Sequence, residues 1–268
     1  IGNPIAHSKS PLIHSEFAQQ THQQLSYTAE LVEPGKVSEF VADFQKNNGK
    51  GLNITVPFKE DAYRLATQLS ERAQRAGAVN TLTLNGPDDY SADTTDGVGL
   101  VTDLLANHQL TLKQKNILIL GAGGAVRGVL EPLLDNRPGQ LIIANRTVEK
   151  ARQMAKDFSD LGHLSASSFT DLAGEKFDLI INGTSASLSG ELPPLPNDIL
   201  HHHATVYDMM YAAQATPFMS WGKQQGAELC LDGLGMLVEQ AAESFYIWRK
   251  VRPTTTDVIK KIRASLTV

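Results

Sequence analysis

An intrachain disulfide is the first thing the sequence rules out, because its 268 residues hold a single cysteine, Cys230. That usage suits a reducing compartment, and with no signal-peptide pattern in view a cytoplasmic protein is expected. Basic charge is scarce as well. Lys and Arg number 24 against 29 Asp and Glu, a formal charge of −5, which removes the footprint of a nucleic-acid binder or of a protein held on an anionic membrane. No apolar run approaches the ~18 residues that a membrane span needs. Metal-ligand spacing is missing too: His201-His202-His203 are consecutive, diverge on any helix or strand, and read as a loop run. His7 and His14 read as structural or exposed histidines, and Cys230, inside an apolar strand, as a buried inert thiol.

What is present is an α/β pattern. Hydrophobic residues make up 41% and charged ones 20%, enough apolar material for sizeable cores. Strand-like and helix-like stretches alternate along nearly the whole chain, the pattern of a mostly parallel α/β protein. Ser10-Pro11 predicts an N-cap and a first-turn proline for a helix reaching about Gln20. Strands are expected over 25–32 and 51–56, helices over 35–47 and 61–69, a hairpin of 80–84 with 90–94, and a helix over 97–107. The chain opens on Ile1-Gly2-Asn3-Pro4, a turn of the kind that follows a strand, so strand residues are expected upstream. A second α/β run starts with Lys115-Asn116-Ile117-Leu118-Ile119-Leu120, apolar enough to be buried on both faces. Helices near 125–134 and 148–158, strands near 141–144, 178–181, 205–209 and 228–231, and closing helices over 234–250 and 256–266 complete the reading.

Two stretches carry chemistry. In Gly51-Leu52-Asn53-Ile54-Thr55-Val56-Pro57-Phe58-Lys59-Glu60-Asp61 a strand ends at proline and acidic residues open a helix. Lys59 is the misfit, a cation at the positive end of a helix dipole. The second stretch, Gly121-Ala122-Gly123-Gly124-Ala125-Val126-Arg127, follows the buried strand directly and opens a helix. Glycines there let the backbone turn sharply and approach a pyrophosphate seated on the helix N-terminus. Val126 stands where the fingerprint has Gly or Ala. The next strand ends in Ala144-Asn145-Arg146-Thr147 rather than in the acidic residue that takes a ribose 2′-hydroxyl. Arg146, with Asn145, Thr147 and Lys150 nearby, suits a 2′-phosphate, so NADP is expected over NAD.

These motifs stand together in one order. Asn3-Pro4-Ile5-Ala6-His7-Ser8-Lys9-Ser10-Pro11, Asn53-Ile54-Thr55-Val56-Pro57-Phe58-Lys59, Ala78-Val79-Asn80-Thr81, Thr95-Asp96-Gly97, the glycine loop, Asn145-Arg146-Thr147 and Asp232-Gly233-Leu234-Gly235-Met236-Leu237-Val238 with Gln240-Ala241-Ala242 are spaced as in shikimate dehydrogenases, and the chain resembles that family along its whole length. The resemblance implies an enzyme interconverting 3-dehydroshikimate and shikimate with NADPH. It implies a substrate domain over 1–100 with a mostly parallel sheet, a Rossmann-type NADP domain over 101–237, helices 238–268 returning to the first domain, and an active site in the cleft between them.

Position by position, the resemblance makes Lys59 and Asp96 the catalytic pair and gives Ser8, Ser10, Thr55, Asn80, Tyr211 and Gln240 to the substrate. Gly121, Gly123, Gly124, Ala125, Asn145, Arg146, Thr147, Lys150, Thr184, Met209 and Gly233 fall to the cofactor. The assignment is chemically coherent: hydroxyls, amides and an ammonium suit a small polyol carboxylate. An ammonium held by a carboxylate can support and protonate the oxygen left when a ketone takes a hydride.

Taken singly, each residue also fits a plain structural role. Asp96 could be only a helix cap, Lys59 or Arg146 a solvated surface cation, and Ser8 and Ser10 turn and cap hydroxyls. Gln240 could be the polar end of a core helix, and Tyr211 packing. Three departures from the family pattern stand out: Val126, Thr94 in place of asparagine, and Ser187 in place of the glycine ending the Asn182-Gly183-Thr184-Ser185-Ala186 turn. A broader quinate/shikimate paralogue and a non-catalytic NADP sensor on the same fold are the alternatives, and monomer and homodimer both stay open.

Overall fold

The computed structural model describes residues 1–184, 186 and 190–266; Ser185 and Ser187 of the turn just named lie outside them. The chain forms two compact units. The first is Ile1–Gly99 with Val238–Ala264, and the second is formed chiefly by Leu100–Leu237.

The first unit is built on four strands, β1 (Gly51–Asn53), β2 (Gln68–Leu69), β3 (Thr81–Gly86) and β4 (Asp89–Asp93), in the order β1-β3-β4-β2. The hairpin expected across Gly86-Pro87 forms β3 and β4, with Asp88 at φ +55 in its turn. Leu82 faces Ala92 across that ladder, and both side chains enter the core with Leu52, Ile54, Phe58 and Val79. The mostly parallel sheet expected here is mixed instead: β1–β3 and β3–β4 run antiparallel, β2–β4 parallel. The hairpin is the cause, since two adjacent strands joined by a tight turn can only be antiparallel.

Other boundaries move for local reasons. β1 ends at Asn53; Ile54 N–H still bonds Asn80 O in register (2.8 Å), and Thr55 N–H turns away to Ile1 O (3.0 Å). Segment 25–32 pairs by a single parallel bridge, Gly2 with Leu31, and forms no strand. The third helix runs Lys59–Leu65 rather than to residue 69, leaving Gln68–Leu69 for β2. A short helix, Glu71–Ala76, follows; Ser70 caps it, accepting from Ala73 N–H, and Gly77 ends it at φ +62. At Ser10–Gln20 the cap position is Lys9, so Ser10 is the first helical residue and Pro11 the second.

The second unit carries six strands, β5 (Asn116–Leu120), β6 (Gln140–Ala144), β7 (Leu164–Ser167), β8 (Phe177–Asn182), β9 (Leu200–Asp208) and β10 (Leu229–Asp232). All pairings are parallel, in the order β10-β9-β8-β5-β6-β7. That is a doubly wound sheet whose order reverses between β5 and β8. The period-2 alternation places Ile117 and Ile119 in one apolar layer and Leu118 and Leu120 in the other, so β5 is covered on both sides. β7 and the helix Pro217–Gln224, capped by Thr216, are elements that the sequence pattern had not announced. His201–His203 lie exposed in β9, not in a loop. Cys230 is half-buried in β10, and burial raises its thiol pKa.

Candidate functional site

In the first unit the misfit lysine meets its partner. Lys59 is the first residue of its helix, and its ammonium donates to Asp96 Oδ2 at 2.5 Å. Asp96 opens another helix, Asp96–Thr102, where a carboxylate is electrostatically favoured. The two side chains are 21% and 13% exposed, sheltered yet reachable. Both oxygens of the Asp96 carboxylate accept from side chains of other segments. Oδ1 accepts from the Asn80 amide at 2.9 Å. The loop bearing Asn80 is tied directly to the lysine's backbone, Val79 N–H to Lys59 O at 3.0 Å.

Gln240 joins this group from the helix Leu234–Arg249, with Oε1 lying 3.2 Å from Asn80 Nδ2 and 3.3 Å from the Thr95 hydroxyl. Residues 59, 80, 95, 96 and 240 thus form one hydrogen-bonded cluster. Ser8 and Ser10 touch each other, the Ser8 hydroxyl accepting from Ser10 N–H at 3.3 Å. Ser10 is linked inward through Tyr27, whose phenol is hydrogen-bonded with the Ser10 side chain and donates to Asn53 Oδ1 at 2.8 Å. Thr55 is exposed, and its carbonyl closes the turn that starts the Lys59 helix by accepting from Phe58 N–H (3.0 Å). Tyr211 belongs to the second unit, half-buried, its phenol pKa raised by burial and then by the charge of Asp232.

Sequence reasoning passed over several partners of this cluster. Asn53 donates to Asn80 O (3.1 Å), Thr81 Oγ1 (3.2 Å) and Ser244 Oγ (3.0 Å). Arg72 grips Asp93 through two nitrogens, 2.6 and 2.9 Å, and reaches Glu243 at 3.2 Å. It thereby ties the strand leading to Asp96 to the helix bearing Gln240. Helical spacing was the available signal: Glu243 and Ser244 lie three and four residues after Gln240, on its face.

The second unit offers a different surface. Five proposed cofactor positions follow directly on the carboxyl ends of five neighbouring parallel strands: Gly121 after β5, Asn145 after β6, Thr184 just past β8, Met209 after β9 and Gly233 after β10. In an open α/β sheet that edge, at the reversal of strand order, is where ligands bind. Gly121 adopts φ +105, and a Cβ there would stand 3.2 Å from Gly183 O. Gly123 and Gly124 have open space where a side chain would be, and the helix Gly124–Asp135 begins between them. Ala125 is exposed in its first turn. The bare backbone at a helix N-terminus fits a pyrophosphate.

Arg146 and Thr147 are exposed beside this edge, and Asn145 holds their turn by donating to Thr147 O at 2.9 Å. Lys150, also exposed, closes the first turn of the following helix through its N–H to Thr147 O. A planar guanidinium with a hydroxyl and an ammonium nearby fits a phosphate ester. Val126 is buried against Gly183, in contact that would forbid any Cβ at that glycine. Beneath the edge, buried Asn182 accepts from Thr184 N–H and hydroxyl (3.1 and 2.7 Å) and donates to buried Asp208 at 3.2 Å. Met209 and Gly233 approach so closely that a Cβ on Gly233 would fall 2.2 Å from Met209 O.

Family models and known proteins match the chain along its length. A model of the shikimate dehydrogenase substrate binding domain matches residues 1–82, one of shikimate / quinate 5-dehydrogenase matches 104–189, and one of the shikimate 5'-dehydrogenase C-terminal domain matches 233–263. The shikimate dehydrogenase (NADP(+)) of Dechloromonas aromatica is 55% identical, over 99% of this chain and 96% of its own. Among solved structures, an Ael1 enzyme from Pseudomonas putida superposes with TM-score 0.92 at 44% identity, covering 100% of this chain and 96% of that one. The shikimate 5-dehydrogenase of Thermus thermophilus, solved with NADP(H) and shikimate, gives TM-score 0.88 at 28% identity over 99% and 97% of the two chains. With identity of that order over nearly the full length, the chain belongs to the shikimate dehydrogenase family.

Proposed function

We propose that the chain is an NADP-dependent shikimate dehydrogenase, interconverting 3-dehydroshikimate and shikimate in the pathway to aromatic amino acids. The observation that carries this reading is the Lys59–Asp96 pair, joined at 2.5 Å, sheltered, and buttressed by Asn80 on the second carboxylate oxygen.

When bound, NADPH supplies a hydride to the ketone carbon and NADP takes one back. The glycine loop 121–124 would hold its pyrophosphate, and Arg146 with Asn145, Thr147 and Lys150 its 2′-phosphate. The remaining steps belong to the chain's side chains. As the carbonyl carbon gains a hydride, the C=O π electrons move onto oxygen. The Lys59 ammonium stabilises that charge and donates one proton to form the hydroxyl. Asp96 keeps the ammonium aimed and, in oxidation, holds the amine as it accepts the hydroxyl proton. In the first unit Ser8, Ser10, Thr55, Asn80 and Gln240 would fix the ring by hydrogen bonds to its carboxylate and hydroxyls.

The direct test is an absorbance assay of NADPH formation with shikimate and NADP, run beside quinate and NAD. Turnover of shikimate with NADP at far higher efficiency than the other three pairings is expected. Equal efficiency with quinate would assign the chain to the broader activity that the shikimate / quinate family description allows. Tight NADPH binding with no turnover of either acid would make it a sensor.

A further inference from the structure

Behind the Lys59–Asp96 pair lies a buried knot of hydroxyls packed around Asn80. Thr81 Oγ1, Thr95 Oγ1 and Ser244 Oγ stand within reach of one another, Ser244 at 2.8 Å from Thr81 and 3.2 Å from Thr95. All three residues are essentially closed to solvent, and Ser244 is 0% exposed.

What each group is able to do fixes the two ends of the Asn80 amide. Asn80 Oδ1 receives the backbone N–H of Thr95 at 2.9 Å. A backbone N–H can only donate, so it decides which end of the Asn80 amide faces it. The Asn80 nitrogen must then point the other way, toward Asp96 Oδ1 and Gln240 Oε1, as found. The Thr81 hydroxyl gives its one proton to Asn80 Oδ1 at 2.8 Å. The Ser244 hydroxyl has one proton and two acceptors in range, Thr81 Oγ1 at 2.8 Å and the Gln240 backbone carbonyl at 3.1 Å. Its oxygen also accepts from Asn53 Nδ2 at 3.0 Å and lies 3.2 Å from the Thr95 hydroxyl, which is itself within reach of Asn80 Oδ1 and Gln240 Oε1. The bonds form one buried network that joins Asn53, Ser244, Thr81 and Thr95 to both ends of the Asn80 amide and, through its nitrogen, to Asp96. Such a network restrains the amide that donates to the carboxylate aiming Lys59.

We propose that Ser244 is a positioning residue for the reaction: by ordering the Thr81 and Thr95 hydroxyls it fixes the orientation of Asn80 and, through it, of Asp96. The inference rests on the shikimate dehydrogenase reading above. Ser244→Cys keeps the side-chain volume but replaces a strong hydroxyl donor with a weak one, and Ser244→Ala removes it. Both are expected to lower kcat with shikimate by about tenfold, the loss of one buried hydrogen bond. The KM for NADP should stay within about twofold of wild type. In an Asn80→Ala background, Ser244→Cys is expected to cause no further loss, because the link from Ser244 to Asp96 runs through Asn80.

A Ser244→Cys enzyme with wild-type kcat overturns the proposal, even if Ser244→Ala unfolds. Loss in full on top of Asn80→Ala overturns it too, since a merely structural serine would act independently. Wild-type protein that binds shikimate but never turns it over would remove the functional reading and this inference together. Turnover with additive losses would remove this inference alone.

Discussion

The two units solve the problem of recognition with different parts of the polypeptide. The first works with side chains. Lys59, Asn80, Asp96 and Gln240 come from separate stretches of the chain and are held by side-chain hydrogen bonds spanning up to 160 residues of sequence. The second works with backbone. Its candidate surface is the row of strand ends at Gly121, Asn145, Thr184, Met209 and Gly233, where glycines leave peptide groups bare. The difference follows from the ligand chemistry each would serve. A polyol acid and a reacting carbonyl need groups placed one by one, whereas a pyrophosphate is satisfied by a helix terminus, available wherever a parallel strand feeds a helix.

The sharpest way to break that contrast is to remove the one ammonium in the first cluster. Lys59→Ala is expected to lower kcat with shikimate by about 10²–10⁴-fold, the span of general acid–base catalysis, while NADPH titrated by fluorescence binds as before. Retained kcat would demote Lys59 to a binding group. In the second unit the expected effect is smaller and of another kind, because Arg146 only adds to what backbone provides. Arg146→Ala should raise the KM for NADP by about tenfold or more and leave that for NAD nearly unchanged, as removal of a charge-assisted phosphate contact would. Parallel changes for both cofactors would show that the guanidinium does not read the 2′-phosphate.

The same contrast explains what could be read from sequence. The backbone-built surface was legible almost entirely, since a buried strand, a glycine turn and a helix are consecutive over 115–135 and each leaves a local signature. Lys59 was conspicuous because it contradicts the helix dipole, and Asp96 and Gln240 came with the family's motifs. Ser244 and Arg72 were not visible, because what they do depends on partners 163 and 171 residues away, Thr81 and Glu243. Among the elements, segment 25–32 has the alternation of a strand yet makes one β-bridge, to Gly2. A strand is defined by its partner, which alternation cannot supply. The helix Glu71–Ala76 is too short for a periodic pattern and is marked only by its Ser70 cap and Gly77 end.

Gly121 tests whether the second surface truly depends on bare backbone. At φ +105, with Gly183 O 3.2 Å from the site of a Cβ, Gly121→Ala is expected to cost about 1–3 kcal/mol of stability. The KM for NADP should rise several-fold while shikimate saturates normally. Denaturant unfolding and the two KM values would check both halves. An alanine enzyme with unchanged stability and cofactor affinity would mean that the turn relaxes at no cost.

The first unit's reliance on polar side chains has one exception, and it predicts the smallest effect. His14 is wholly buried, stacked on Tyr27 at 4.2 Å and 6°, with no hydrogen-bond partner at either ring nitrogen. Buried carboxylates of the second unit, by contrast, have donors: Asp103 takes the Tyr207 hydroxyl at 2.7 Å and Asp208 that of Thr216 at 2.6 Å. Burial pushes the His14 pKa down to about 3, with Asn53 a lesser opposing influence. The unfolded chain takes up that proton near the ordinary value of about 6.5, so below it the unfolded state binds more protons than the folded one. Stability is therefore full above that pH and falls as the pH drops, by about 1.4 kcal/mol per unit, until the folded ring also protonates. His14→Phe preserves the aromatic stack and removes the titration. Urea unfolding of both proteins at pH 7, 6, 5 and 4 should show the variant's acid slope shallower by about one proton. Identical slopes would place the acid sensitivity elsewhere in the molecule.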